Sequence, residues 1–380
     1  MKCIINGRVI LADKTLEGYA VVYSDKIEKI VPANEITLAD YEVIDAAGNY
    51  VAPGLVDIHI HGYLGEDASD GNTEGIVKMS KGIAENGVTA WCPTTMTISK
   101  AEIETAFNCV REVKNSGEYY GARILGVNSE GPFINPSKKG AQSADHILRP
   151  DADFILENAD IVKLFTVAPE VDGGLDCIKK VAEDGRVLVS MGHTNATYEE
   201  ANAGIEAGVR HTTHLFNAMT PLVHRNPGVV GAALSDDRVS TELIADTFHV
   251  TKGLFKLVSK IKGDKLCLIT DCMRAGGMPD GDYTLGGQPV HKEGIQCLMP
   301  DGTIAGSVLK LNEAVYNLYS NSDLTIEQAV ACASLNPAKA VGEDAEIGSL
   351  EAGKRADIII ADDKFNIIKT IIGGITRYEH

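Results

Sequence analysis

Eight apolar runs punctuate the middle of the chain, at 54–60, 88–94, 124–130, 160–168, 186–192, 210–216, 242–248 and 265–271. They are nearly continuous rather than alternating, as strands covered on both faces require. The gaps between them hold segments long enough for helices, such as TEGIVKMSKGIAENG and ATYEEANAGIEAG. Eight strands alternating with helices is the count of a closed parallel barrel, although a doubly wound open sheet also accommodates the alternation. The two ends of the chain read differently. IINGRVI, YAVVYSDKIEKIV and YEVIDAAGNYVAP near the start, and GSLEAGKRADIIIADD and IIKTIIGGITRY near the end, are short β-rich runs broken by turns. The expected fold is therefore α/β: a (β/α)8 TIM-like barrel over residues 53–344, with a small β-sandwich domain formed by both chain termini, 1–52 plus 345–380.

Composition narrows the function classes. The 35 basic and 53 acidic side chains leave a net charge of −18. Nucleic acid, which needs a basic footprint, is not an expected partner. Any phosphate site must be assembled from local basic residues. No apolar run reaches the ~18–20 residues that span a bilayer, and MKCIINGRVILADKTLEGYA lacks the apolar stretch of a signal peptide. The expectation is a cytoplasmic protein without membrane association. Eight cysteines without a CxxC pair read as reduced core thiols.

The chemistry lies at the strand ends. His59 and His61 close the first predicted strand, Glu130 the third, His193 the fifth, His214 the sixth and Asp271 the eighth. In a parallel barrel all of these ends open on one face, so six residues far apart in sequence converge. Alternation along a strand turns His59 and His61 inward and Ile60 outward. Imidazoles with carboxylates suit a divalent first-row metal, with Glu130 able to bridge two ions and a position left for water. A bound metal brings that water's pKa from about 15.7 towards ~7. Asp271 beside it can take the water's proton and pass it to a departing amine.

The chain also carries PGLVDIHIHG, EGPF, KKGAQ, GHTNA, THLFNAM, RNPG, IADTFHV, ITDCM and GSLEAGKRADI in this order. In these motifs it resembles the N-acetylglucosamine-6-phosphate deacetylases of the amidohydrolase superfamily, over essentially its whole length. The resemblance implies a barrel capped by a small β domain, usually as a homodimer. It implies Glu130, His193 and His214 as the main metal ligands, Asp271 as catalytic acid/base, and a second ion where the His59–His61 pair is present. Zinc or iron(II) is expected, as one or two ions, and the implied partner is an N-acetylated hexosamine 6-phosphate. By motif, Asn217 and Ala218 would contact the sugar phosphate. Arg225, reaching across from a neighbouring subunit, would pair the phosphate. His249 would contact sugar or phosphate, and Ser307 and Leu309 would close the site over the acetyl group.

Two departures stand out. Many members read HLEGP where this chain has Asn128 and Ser129 before Glu130, and many carry a His where it has Gln142. Gln142 can donate a hydrogen bond to an acyl oxygen but cannot carry a proton, which points to a weaker assist or to the N-acetylgalactosamine 6-phosphate epimer. Rival readings are a phosphate-free amide substrate, a metal-free isomerase barrel and a non-catalytic scaffold. Lys163, His211, Cys272, His146 and His291 read as structural or surface residues, His224 as a minor phosphate candidate, and Gly276–Gly277 as a turn or an active-site loop.

Overall fold

The computed structural model describes residues 1–117 and 121–380. The eight apolar runs are eight parallel strands. Leu55–Ile60 pairs with Val88–Thr95, which pairs on its other side with Val127–Glu130. The ladder continues through Val162–Val167, Leu188–Met191, His211–Thr212, Ser240–Ile244 and Leu266–Ile269. Its ends are joined by backbone bonds: Asp271 N–H donates to His59 O at 2.8 Å, and His61 N–H to Cys272 O at 2.9 Å. The sheet is therefore a barrel and not an open doubly wound sheet.

Several strands are shorter than the apolar runs suggest. The sixth keeps only His211–Thr212, and the fifth and eighth stop at Met191 and Ile269. In each case the backbone turns left-handed at the candidate residue beyond it, with φ of +47° at His193, +29° at His214 and +49° at Asp271. These residues stand on kinks past the strand ends rather than in the pleat.

The helices start where their caps dictate. Asn72 accepts from Glu74 N–H and opens Thr73–Ala84, whose Ile76, Met79 and Ile83 are buried at helical spacing. A capping box of Thr197 and Glu200 opens Tyr198–Ala207. Trp91, Phe107, Phe165 and Phe255 are fully buried in the core that joins helices to strands. Each such side chain contributes roughly 1.5–3 kcal/mol by leaving water.

Both termini build the second body. A four-stranded sheet is ordered Ile27–Pro32, Tyr19–Tyr23, Lys2–Ile5, Glu42–Asp45. A six-stranded sheet places Tyr50–Pro53 between Arg8–Ile10 and Ile358–Ala361, the last followed by the Ile367–Ile372 and Ile375–Glu379 hairpin. Ile4, Val21, Tyr23, Val51, Ile358 and Ile371 share one core between them. Because Tyr50–Pro53 runs directly into the first barrel strand at Leu55, this domain is tied to the barrel's first strand.

A three-stranded meander over Gly281–Leu285, Gln288–Glu293 and Gln296–Leu298 follows the eighth strand. It is absent from the sequence expectation. Gly286 and Gly287, at φ +53° and +78°, form its two-residue turn. Gly276 and Gly277 form a tight turn against Tyr63. The eight cysteines are all free, seven of them buried. No helix among the described residues is long and apolar enough to cross a membrane.

Candidate metal centre

The six strand-end residues meet. Glu130 Oε1 lies 2.8 Å from His214 Nε2, 3.2 Å from His193 Nε2 and 3.4 Å from His59 Nε2. Its Oε2 lies 3.2 Å from His61 Nε2, and Asp271 Oδ1 lies 3.2 Å from His61 Nε2 and 3.6 Å from His59 Nε2. Two groups of three result, Glu130 with His193 and His214, and His59 with His61 and Asp271, each with its donor atoms within 4.8 Å of one another. All six are buried.

Each imidazole is held by its other nitrogen. His61 Nδ1 faces Thr94 O at 3.1 Å, His193 Nδ1 faces Lys138 O at 2.8 Å, and His214 Nδ1 faces Asn217 O at 3.1 Å. His59 Nδ1 faces Glu242 Oε2 at 2.9 Å. These partners accept only, so each Nδ1 carries a hydrogen and all four Nε2 atoms face the two carboxylates, where a proton or a cation can sit between them. Four imidazole nitrogens and two carboxylates, with tautomers fixed from behind, fit one or two divalent first-row cations.

The electrostatics agree. Burial alone would raise the Glu130 carboxyl, but the charges of His193 and His59 and the hydrogen bonds from His193 and His214 hold it well below the usual range. Burial pushes His61 down, yet hydrogen bonds to Asp271 and Glu130 reverse this and carry it up to about 10. Burial also opposes ionisation of Asp271, and the His61 hydrogen bond overcomes it and lowers its pKa. Such a nest binds positive charge, as protons or as metal.

Over this centre opens a cavity of about 400 Å³. His61, Glu130, His193, His214 and Asp271 form its floor, and Gln142, Asn217, Ala218 and His249 stand on its walls. His249 Nδ1 is fastened to Asp246 Oδ2 at 2.6 Å. Gln142 is engaged at both ends: Nε2 donates to Glu130 Oε2 at 2.5 Å, and Oε1 accepts from Thr97 N–H at 2.6 Å. Its amide is thus tied to the metal-type carboxylate instead of standing free for an acyl oxygen.

Three expected contacts sit elsewhere. Arg225 lies in the exposed stretch 221–226, outside the cavity walls. Ser307 is fully buried, its Oγ donating to Thr270 O at 2.5 Å, and Leu309 is tied to that Oγ through its backbone N–H. Gly306, Thr303 and Ile304 form the wall there instead. The discounted residues are structural in place: Lys163 pairs with Glu343 at 2.7 Å near the start of its strand, and His291 with Asp282 at 2.7 Å. Asn128 Nδ2 donates to Ile58 O at 3.1 Å, behind the centre.

Sequence reasoning missed Lys138, the one Lys or Arg on the cavity wall among the described residues. It also missed Glu242 and Asp57, both without exposed surface. Burial pushes the Asp57 carboxyl up to about 7, although it accepts from Thr270 Oγ at 2.6 Å. Charged residues inside apolar strands were the available signal.

The amidohydrolase family matches residues 50–376. N-acetylglucosamine-6-phosphate deacetylase of Bacillus subtilis (strain 168) is 37% identical over 94% of this chain and 92% of its own length. N-acetylgalactosamine-6-phosphate deacetylase of Escherichia coli O157:H7 is 35% identical over 87% of this chain and 89% of its own. The solved N-acetyl-D-glucosamine-6-phosphate deacetylase of Mycobacterium smegmatis, a mutant in complex with N-acetyl-D-glucosamine-6-phosphate, is 28% identical, with a TM-score of 0.91 over 99% of both chains. With the whole barrel matched and its mouth built of metal-type donors, this chain belongs to the amidohydrolase family, among the N-acetylglucosamine-6-phosphate deacetylases.

Proposed function

We propose that the chain hydrolyses the acetamide of N-acetylglucosamine 6-phosphate to glucosamine 6-phosphate and acetate at a divalent-metal centre. The observation that carries this is the convergence of four Nδ1-anchored imidazoles on Glu130 and Asp271 at the floor of the cavity. Glu130, His193 and His214 would hold one ion, and His59, His61 and Asp271 a second. The metal supplies Lewis acidity that activates water and polarises the acyl oxygen. Asp271 takes the proton of the attacking water and returns it to the nitrogen as the C–N bond breaks. Asn217, Ala218 and His249 orient the sugar phosphate from the wall, and Gln142 holds Glu130 in place.

The same reading makes zinc or iron(II) the metal, the cytoplasm the compartment, and a homodimer the working form. In that dimer the exposed Arg225 reaches a neighbouring subunit's phosphate, with Lys138 supplying the local positive charge. Acetate release from N-acetylglucosamine 6-phosphate tests it, before and after chelation and with zinc or iron(II) restored. Release that chelation stops and metal restores is expected; none from folded, metal-loaded protein would reject the substrate. The galactosamine epimer is the second reading, favoured by the Escherichia coli relative at 35% identity. Side-by-side kcat/KM values separate the two.

A further inference from the structure

Glu242 lies on the seventh barrel strand, Ser240–Ile244, with no exposed surface. Its two oxygens serve three groups. Oε2 accepts the His214 backbone N–H at 2.9 Å and faces His59 Nδ1 at 2.9 Å. Oε1 faces His211 Nε2 at 3.1 Å, and His211 Nδ1 in turn faces Ser240 Oγ at 2.5 Å. One carboxylate thus joins an imidazole of the His59–His61–Asp271 group to the main chain of a residue in the Glu130–His193–His214 group. The other three imidazoles rest their Nδ1 on main-chain carbonyls, whereas His59 alone rests on a carboxylate. A carboxylate acceptor fixes the ring and makes its other nitrogen a better metal donor.

Charge points the same way. Of the buried carboxylates here, Glu130, Asp271 and Glu242 face the imidazoles of the centre, whereas Asp57 accepts from the Thr270 hydroxyl and the His59 backbone N–H. A single dication leaves one of those three charges unanswered in a region where unbalanced charge is expensive. Two dications with one hydroxide ion balance all three. Were residue 242 neutral, one dication would suffice.

We infer that Glu242 is a positioning residue that retains the second ion, orienting His59 and supplying the charge that lets His59, His61 and Asp271 hold a cation beside the first. This rests on the metal-dependent reading above. Glu242→Gln is the direct test because its shape is kept. The amide oxygen can accept from His59 and His214, while the amide nitrogen faces His211, whose ring can exchange tautomers against Ser240.

The experiment is to chelate the full chain, reload it with zinc(II), count bound zinc by elemental analysis and titrate both affinities. Wild type is expected to bind two equivalents. Glu242→Gln should keep the first within threefold and weaken the second by about 10–100-fold. Thermal melting of the chelated proteins checks folding. If Glu242→Gln does not fold, His211→Gln carries the test, with the second site about tenfold weaker by the same rule and the first unchanged. Two unchanged affinities in the variant, two weakened alike, or one zinc in wild type overturns the inference and leaves the deacetylase reading standing. No zinc in wild type overturns both.

Discussion

His193 and His214 bring their Nε2 atoms within 3.1 Å of one another from left-handed backbone positions, at φ +47° and +29°. Asp271 opposite them stands at φ +49°. A non-glycine residue held there costs of order 1–3 kcal/mol, and such strain collects at functional sites. The kinks turn these side chains off the ends of their strands and over the barrel mouth, where a regular pleat would have sent them to one face or the other of the sheet. Asn adopts this backbone readily, so His193→Asn should fold, with unfolding temperature of the chelated protein close to wild type. Acetate release should fall at least about a thousandfold if His193 holds an ion whose chemistry is worth several kcal/mol. Full activity in that variant would remove His193 from the centre.

Asp271 is expected to act on the barrier more than on binding. Its Oδ1 sits 3.2 Å from His61 Nε2, and it lies on the cavity floor. Asp271→Asn keeps size and polarity but cannot take a proton. General acid–base catalysis is worth about 10²–10⁴-fold, so kcat should drop by that factor while KM moves little. Steady-state kinetics on metal-loaded variant protein decides this, and a KM effect alone would reassign the residue to substrate binding.

The six metal-type residues were legible because each combines a telling residue type with a strand end, and a parallel barrel makes that position meaningful. The terminal β domain was legible through its turn-broken β-branched runs. Glu242 was not. Of the two acids in ELIADTF, Glu242 gains its meaning only from standing against His59, 183 positions away, a separation no local pattern encodes. The kinks were equally hidden, since His and Asp are enriched at positive φ but only a small share of them adopt it. Ser307 was read as a site residue from its motif, whereas its hydroxyl is spent on the Thr270 carbonyl and neighbouring Gly306 reaches the cavity. Lys138 was not legible because the two lysines of KKGAQ look alike in sequence, and only the fold puts one of them on the cavity wall.

Lys138 and Arg225 supply a graded test of the phosphate. A charged hydrogen bond contributes about 1.5–3 kcal/mol, so Lys138→Ala should raise KM for the phosphorylated sugar roughly ten- to a hundredfold. The unphosphorylated sugar should be cleaved poorly by wild type and no worse by the variant. Arg225→Ala should show the same pattern only where the chain is dimeric, which sedimentation at two protein concentrations alongside the assay establishes.

Metal loading should depend on pH with a definite sign. In the metal-free protein His61 is carried up to about 10 by its hydrogen bonds to Asp271 and Glu130, which outweigh its burial. Its unfolded value is about 6.5. The stability this pair contributes is therefore fully present below about 6.5 and is lost as pH rises through about 10. The chelated protein should melt at progressively lower temperature from pH 6.5 to 10. A cation must displace that proton, so loading at pH 7 should release acid and apparent affinity should tighten as pH rises. Unbuffered zinc titration with a pH electrode reads this directly, and loading without proton release would contradict the arrangement.

Gln142 gives the sharpest single-atom test. Its Nε2 donates to Glu130 Oε2 at 2.5 Å while its Oε1 takes the Thr97 N–H at 2.6 Å, so both ends of a buried amide are used. Gln142→Glu keeps the outline and the Thr97 bond but sets one carboxylate oxygen against another. Losing a buried donor and opposing like charges costs about 1–3 kcal/mol or more. The chelated variant should therefore melt lower than wild type, and the added negative charge should make zinc stabilise it more than it stabilises wild type. Activity should fall, because Glu130 is pushed away from the position that His193 and His214 share with it. If thermal melts with and without zinc instead track wild type, Gln142 is not holding Glu130, and its amide is free to meet the acyl oxygen of a substrate.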